Sequence, residues 1–317
     1  MSEAVAVDST GTPLPSVGEA RSRAGSKRST VRRVLRQRSA IVGLTILLFL
    51  LITAMLADVI AQHPPNLAMI GIEDGVRARS APCIHLLGCP ESQPQHLLGT
   101  DGNVRDQFSR LVFGARISLL IGFVTVGGAI LIGVVIGSIA GYLGGRVDNV
   151  LMRIMDMFLA FPALVLAIVI VSVLGRSLVN AMIAVSIVAI PIYARVMRSS
   201  VLSVREQDYV VAACALGDSP LSILVRRVMP NAITPLIVQA TLGVGSAVLE
   251  IAALSFIGLT AIAPNAEWGS MIALERNQLF TSPHLVFIPG VAITLTVLGF
   301  NLFGDGLRDA FDPRLSR

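Results

Sequence analysis

Long stretches without charge dominate this chain and limit what it can fold into. Ile117–Gly145, Met157–Gly175, Ser177–Ala194 and Leu285–Leu302 contain no charged residue; Ile41–Ala61 carries only Asp58, and Ala232–Ala263 only Glu250. Each is close to or beyond the roughly 18 to 20 residues a helix needs to cross a hydrocarbon core. A water-soluble core has no use for so many apolar residues, and the chain of 317 residues is 54% apolar against 14% charged. The pattern predicts an all-α integral membrane protein with six transmembrane helices. A straight helix over Ile117–Gly145 would be roughly 44 Å long. It must therefore tilt or project beyond the membrane.

Arginine and lysine set the orientation. Arg21, Arg23, Lys27, Arg28, Arg32, Arg33, Arg36 and Arg38 crowd ahead of the first apolar stretch. If that tail is cytoplasmic, so are Tyr142–Arg153, Arg195–Asn231 and Asp305–Arg317, and these segments together hold most of the 25 basic residues. Both termini are then cytoplasmic, and the net charge of +5 reflects topology. No nucleic acid is expected as a partner, because the arginines stop where a membrane helix begins. Ile41–Ala61 is too long, and follows too long a tail, to be a signal peptide. The chain divides into a disordered basic tail (1–30), a first-helix region (31–66), an extracytoplasmic segment (67–106) and a core with five further transmembrane helices (107–317).

The cysteines divide by side. Cys214 falls in the cytoplasmic 195–231 segment, where a reduced thiol is expected. Cys83 and Cys89 lie on the opposite side, where a disulfide is expected. A metal site built from Cys83, His85 and Cys89 has no fourth ligand with a clear place, although His96 could reach, so no metal is expected.

The 195–231 segment reads as an ordered plug. Tyr209–Leu216 is rich in Ala and Leu and suits a short helix; Gly217 suits the left-handed residue that ends it. Asp218 or Ser219 can cap a second helix, with Pro220 in its first turn, where no backbone donor is needed. That helix runs to about Met229, and Pro230 marks the next boundary. Helices this short hold only when packed against something. The membrane spans can support one side. A lipid surface or a partner protein must support the other, and the mixed signs of Arg205, Glu206 and Asp208 suit protein better than anionic lipid.

This segment resembles the EAA loop of ABC-importer permeases, whose pattern is Glu-Ala-Ala, three residues, Gly, nine residues, Ile-x-Leu-Pro. Ala212, Ala213, Gly217 and Pro230 keep the pattern; Val211, Arg227 and Met229 depart from it. Arg32–Gly43, His96–Asp101, Arg105-Asp106, Ser109–Gly122, Gly141–Asp148, Arg153–Asp156, Ala160-Phe-Pro162, Leu254–Leu259, Trp268-Gly269, Asn301–Asp309 and Asp312-Pro-Arg314 are similar to the C-type permeases of the dipeptide, oligopeptide and nickel family. The resemblance runs from about Val31 to the C-terminus, with Leu67–Glu91 set apart as an insertion.

The resemblance implies an ABC type I importer-like permease in a bacterial cytoplasmic membrane, forming half of a pore. It implies a sister permease, two ATPase subunits and an extracytoplasmic solute-binding protein as partners, besides membrane lipid. Tyr209, Ala212, Ala213, Leu216, Gly217, Asp218, Ser219, Pro220 and Leu221 would make the ATPase contact. Cargo would be di- or oligopeptides, with nickel chelates or other small solutes as alternatives. ATP and Mg would bind the partners, and no cofactor this chain.

Rival classes can be weighed on the residues themselves. The one lysine, Lys27, stands in no Gly-x4-Gly-Lys-Ser/Thr motif, so ATP hydrolysis through a P-loop is excluded. An ion-driven carrier would place ionisable groups within the spans, and only Glu250 qualifies clearly; it is the one candidate for the translocation path. No span holds a histidine to serve Ser246 or Ser270 as a base, so these serines are read as packing residues and no catalytic residue is assigned. Gly133, Gly137 and Gly141 lie on one helix face and permit close contact, within the chain or with a sister subunit. Pro162 and Pro191 allow kinks in their spans.

Overall fold

The computed structural model describes residues 34, 37–72, 75–90, 93–260 and 265–311. The basic tail of residues 1–30, residues 261–264 and Asp312–Arg314 lie outside them. In chain order the helices are α1 (Arg38–Met55), α2 (Ala57–Ile60), α3 (Gln107–Leu143), α4 (Gly145–Leu159), α5 (Ala163–Leu174), α6 (Leu178–Arg205), α7 (Asp208–Ala215), α8 (Pro220–Ile223), α9 (Met229–Ala232), α10 (Thr234–Phe256), α11 (Trp268–Glu275) and α12 (His284–Phe311). Among the described residues, α1, α3, α6, α10 and α12 are each long and apolar enough to cross a membrane. The pair α4–α5, bent by 90°, supplies a sixth crossing when counted as one broken span.

That bend falls at Pro162, where the sequence allows a kink, and at 90° it breaks the span over Met157–Gly175. The polar face of α4 is tied to α6. Asp156 pairs with Arg195 at 2.5 Å, and Asp148 takes a two-pronged contact from Arg198, both arginines being on α6. These ties hold α4 across the end of α6, and Pro162 then starts α5 in a new direction. With 12 residues, α5 is only about 18 Å long. Pro191, in contrast, sits inside α6 without ending it.

The longest helix, α3, has 37 residues and rises about 55 Å. Asp106 begins it by accepting the Ser109 N–H at 2.7 Å. Its glycine row faces α6 of the same chain: a Cβ at Gly137 would stand 2.3 Å from the Ala194 carbonyl oxygen, and one at Gly133 2.7 Å from Tyr193 Cβ. The row therefore lets two backbones of one subunit touch, which decides between the two readings of its spacing.

Contacts sort the helix ends into two faces. At one, Gly306 of α12 abuts Ala40 of α1, and Arg205 at the end of α6 donates to the Tyr142 carbonyl at the end of α3. This loop face carries α7–α9. At the other, Gln107 reaches the Leu285 carbonyl and Trp268 Nε1 donates to the Leu111 carbonyl. This cap face carries the segment between α2 and α3 together with α11.

Candidate coupling site, cap and polar cavity

On the loop face, α7 stops because Gly217 turns left-handed at φ +84°. The Gly217 N–H returns to the Cys214 carbonyl and the Asp218 N–H to the Ala213 carbonyl, a paired closure that satisfies the last helical acceptors. Ser219 then caps α8, accepting from the Ser222 N–H, and Pro220 occupies its first turn. The helical path does not stop at Met229. It widens into a π-helical segment over Leu224–Val228, continues through α9 past Pro230, and meets α10 almost directly.

Val210, Ala213, Ile223, Val228 and Ala232 close a small core of their own on Met197 and Val201 of α6. Tyr209 ties the two limbs: its hydroxyl accepts from Asn231 at 3.0 Å, while Asn231 also donates to the Arg227 carbonyl. Of the residues expected at the contact, Tyr209, Ala212, Leu216, Gly217, Asp218, Ser219, Pro220 and Leu221 are exposed. Ala213 is buried and packs inward, so it supports the turn and presents no contact surface. Leu216 is 86% exposed and Leu221 71%, flanking the turn.

The cap face is finished differently. Asp101 accepts from the backbone of Asn103 and Arg105, and pairs with the Arg105 side chain at 2.7 Å. Asp106 shares its carboxylate between Ser109 N–H and His96 Nδ1, the latter at 2.9 Å. Burial opposes the Asp106 carboxylate, but the hydrogen bonds from His96 and Ser109 outweigh it and hold the carboxyl below its ordinary range. Arg110 is buried and donates to the Pro65 carbonyl at 2.9 Å. Glu275 binds Arg79 and the Gly102 N–H, so α11 is tied to the segment ahead of α3. Glu267 caps α11 through the Gly269 and Ser270 N–H groups; burial pushes its carboxyl up, and those two bonds pull it back in part.

Cys83 and Cys89 form a bridge with Cα atoms 5.4 Å apart, and the Cys83 N–H donates to the His96 carbonyl. Joined sulfurs are not thiolate ligands. Cys214 is a free, exposed thiol on α7.

Glu250 lies within α10. It lines a cavity of about 130 Å³ with Thr125 of α3, Tyr193 of α6, and Gln239, Gly243 and Ser246 of α10. The polar neighbours are separated by as many as 125 positions in sequence, and only Glu250 stands out in the chain read alone. The same holds for Asp148–Arg198 and Asp156–Arg195, whose partners meet only after folding. A weak signal for the cavity was present: Gln239, Gly243, Ser246 and Glu250 recur at steps of four, three and four, which puts them on one helical face.

A bundle of apolar helices with an ordered, partly exposed helical turn between two of them defines a multi-pass membrane protein. Residues 133–317 match the family described as binding-protein-dependent transport system inner membrane component, and residues 28–82 match the N-terminal TM domain of oligopeptide transport permease C. The chain is 43% identical over 288 residues to the dipeptide transport system permease protein DppC of Alkalihalophilus pseudofirmus, covering 91% of this chain and 90% of that one. It is 41% identical to the di/tripeptide transport system permease protein DppC of Pseudomonas aeruginosa, covering 88% and 89%. It is 48% identical to the probable D,D-dipeptide transport system permease protein DdpC of Escherichia coli, covering 69% and 74%. A solved inward-facing MetNI methionine ABC transporter shares the fold, with a TM-score of 0.53 at 18% identity over 64% of this chain and 97% of that one. The chain belongs to the family of inner membrane components of binding-protein-dependent transport systems. The match to the N-terminal domain ends at residue 82, within the Leu67–Glu91 stretch and ahead of the Cys83–Cys89 bridge.

Proposed function

We propose that this chain forms half the translocation pore of an ATP-driven importer of di- and oligopeptides. A sister permease supplies the other half, two ATPase subunits bind the loop face, and a solute-binding protein delivers cargo to the cap face. The loop face, with both termini, is cytoplasmic in a bacterial inner membrane. ATP and Mg belong to the partners. Glu250 belongs to the path.

The observation that carries this reading is the turn at Gly217 with Leu216 and Leu221 exposed on either side of it. Two large apolar side chains on a fixed turn suit a groove on another protein. The turn is also well placed to transmit movement. Its small core grips α6 through Met197 and Val201, and α9 runs almost directly into α10. A push on the turn therefore reaches α6 and α10 together, and these two helices flank the Glu250 cavity. Peptide cargo is supported by the names of the three relatives above, each a dipeptide or di/tripeptide permease.

The test is Gly217→Pro. Proline cannot adopt φ +84° and removes the N–H that closes on Cys214. The variant is expected to insert in the membrane and assemble, yet to lose uptake while the ATPases still turn over. Wild-type uptake by this variant would refute the docking role.

A further inference from the structure

We infer that the cavity around Glu250 is a transient subsite for the α-ammonium group of the peptide in transit. The inference rests on the proposed peptide cargo and adds what recognises it. A carboxylate inside a membrane helix demands a partner or a wet cavity. Among the described residues, no hydrogen bond or ion pair reaches the Glu250 carboxylate. It faces a space that other polar groups also face: Tyr193, Gln239, Ser246 and Thr125. The space sits near the middle of α3, α6 and α10, remote from both faces.

The lining suits a cation that donates hydrogen bonds. An ammonium group carries three N–H donors and no acceptor. Glu250 supplies negative charge, and the Gln239 carbonyl and the Tyr193 and Ser246 hydroxyls supply further acceptors. Gly243 makes the room, for a Cβ there would stand 1.9 Å from the Tyr193 hydroxyl. At about 130 Å³ the cavity is well short of the several hundred Å³ of a pocket that encloses a whole small molecule. It takes one end of a peptide and leaves the remainder outside, past Ser246 and Ile192, which are exposed. A free peptide amine is largely protonated near neutral pH. Such a charge crossing a low-dielectric region gains from a fixed counter-charge part-way. Because the coupling turn grips α6 and α10, the motion that opens the pore also reshapes this site, so the amine is held in one state and released in the other.

The experiment uses the complete assembly in vesicles: this chain, its sister permease, both ATPases and the binding protein, with alanyl-alanine as the probe. The reading is dipeptide accumulated per ATP hydrolysed. Glu250→Gln keeps the shape and removes the charge, and the ratio is expected to fall about tenfold, the loss of one charge-assisted contact. Glu250→Asp is expected to recover part of it, and Tyr193→Phe to lower it by a smaller factor. An unchanged ratio in Glu250→Gln overturns the inference, as does a parallel fall in uptake and hydrolysis, which would make Glu250 a structural residue. A wild-type assembly that hydrolyses ATP and moves another solute but no alanyl-alanine overturns the peptide cargo itself, and that result is read before any variant is made.

Discussion

On the cap face, Asp101, Arg105, Asp106 and Arg110 are all buried, and each carboxylate is met by donors from the same chain. On the loop face, Leu216 and Leu221 stand in the open, and the residues around them close only a small core. Burying a charge is costly unless hydrogen bonds surround it, so the cap's charged residues are satisfied within this chain, although Leu86 and Phe280 at its surface are as exposed as Leu216 is on the loop. On the loop the exposed pair stands on a fixed turn, which is what the proposed docking role would use. The difference teaches where each face gets its order. The cap's buried charges are ordered from within this chain; the loop is ordered by α6 on one side and stands open on the other.

Substitutions on each face test whether the two differ in this way. The largest effect is expected between the faces, at the α3–α6 contact on which both depend. Gly137→Val places side-chain atoms where the Ala194 carbonyl stands 2.3 Å from a Cβ. Helix separation should cost about 3 kcal/mol, seen as a lower melting temperature in detergent. Next comes the cap. Asp106→Ala removes a helix cap and the carboxylate that meets His96 Nδ1, and should cost about 2 kcal/mol. The sign of its pH dependence follows from the lowered pKa. The contribution of Asp106 is fully present above the unfolded carboxyl value of about 3.9 and is lost as pH falls through the lower folded value. Acidification below about pH 4 should therefore narrow the gap between wild type and Asp106→Ala. The smallest effect on stability is expected at the loop: Leu216→Asp should change it by no more than about 0.5 kcal/mol, yet should abolish uptake by the assembly. A loop-face substitution that unfolds the chain, or a cap substitution that leaves it intact, would dissolve the contrast.

The chain read alone conveys the spans and the coupling turn because both are local. Uncharged length marks a helix that lives in lipid, and Ala-rich residues, Gly217, Ser219 and Pro220 mark helix, turn and helix in sequence. Its failures are non-local. Pro162 marks the place of the break before α5, but neither its 90° size nor the pairing of Asp148 and Asp156 with Arg198 and Arg195, far along the chain, is legible locally. The inward position of Ala213 depends on α6 lying beneath α7. The cap's ionic contacts join residues from either side of α3, and the Glu250 cavity draws on three helices. Periodicity cannot show which of two faces a glycine row serves either; only the approach of Ala194 decides it.

Cys214 offers the most direct test of the account, because it is the free cysteine on the exposed side of α7 and needs no engineering. Its rate of reaction with a membrane-impermeant maleimide is measured in inside-out vesicles, with the chain alone and with the full assembly including both ATPases. The account predicts rapid labelling of the chain alone and strong protection once the ATPases are bound. Equal labelling rates in an assembly that hydrolyses ATP and imports solute would contradict it.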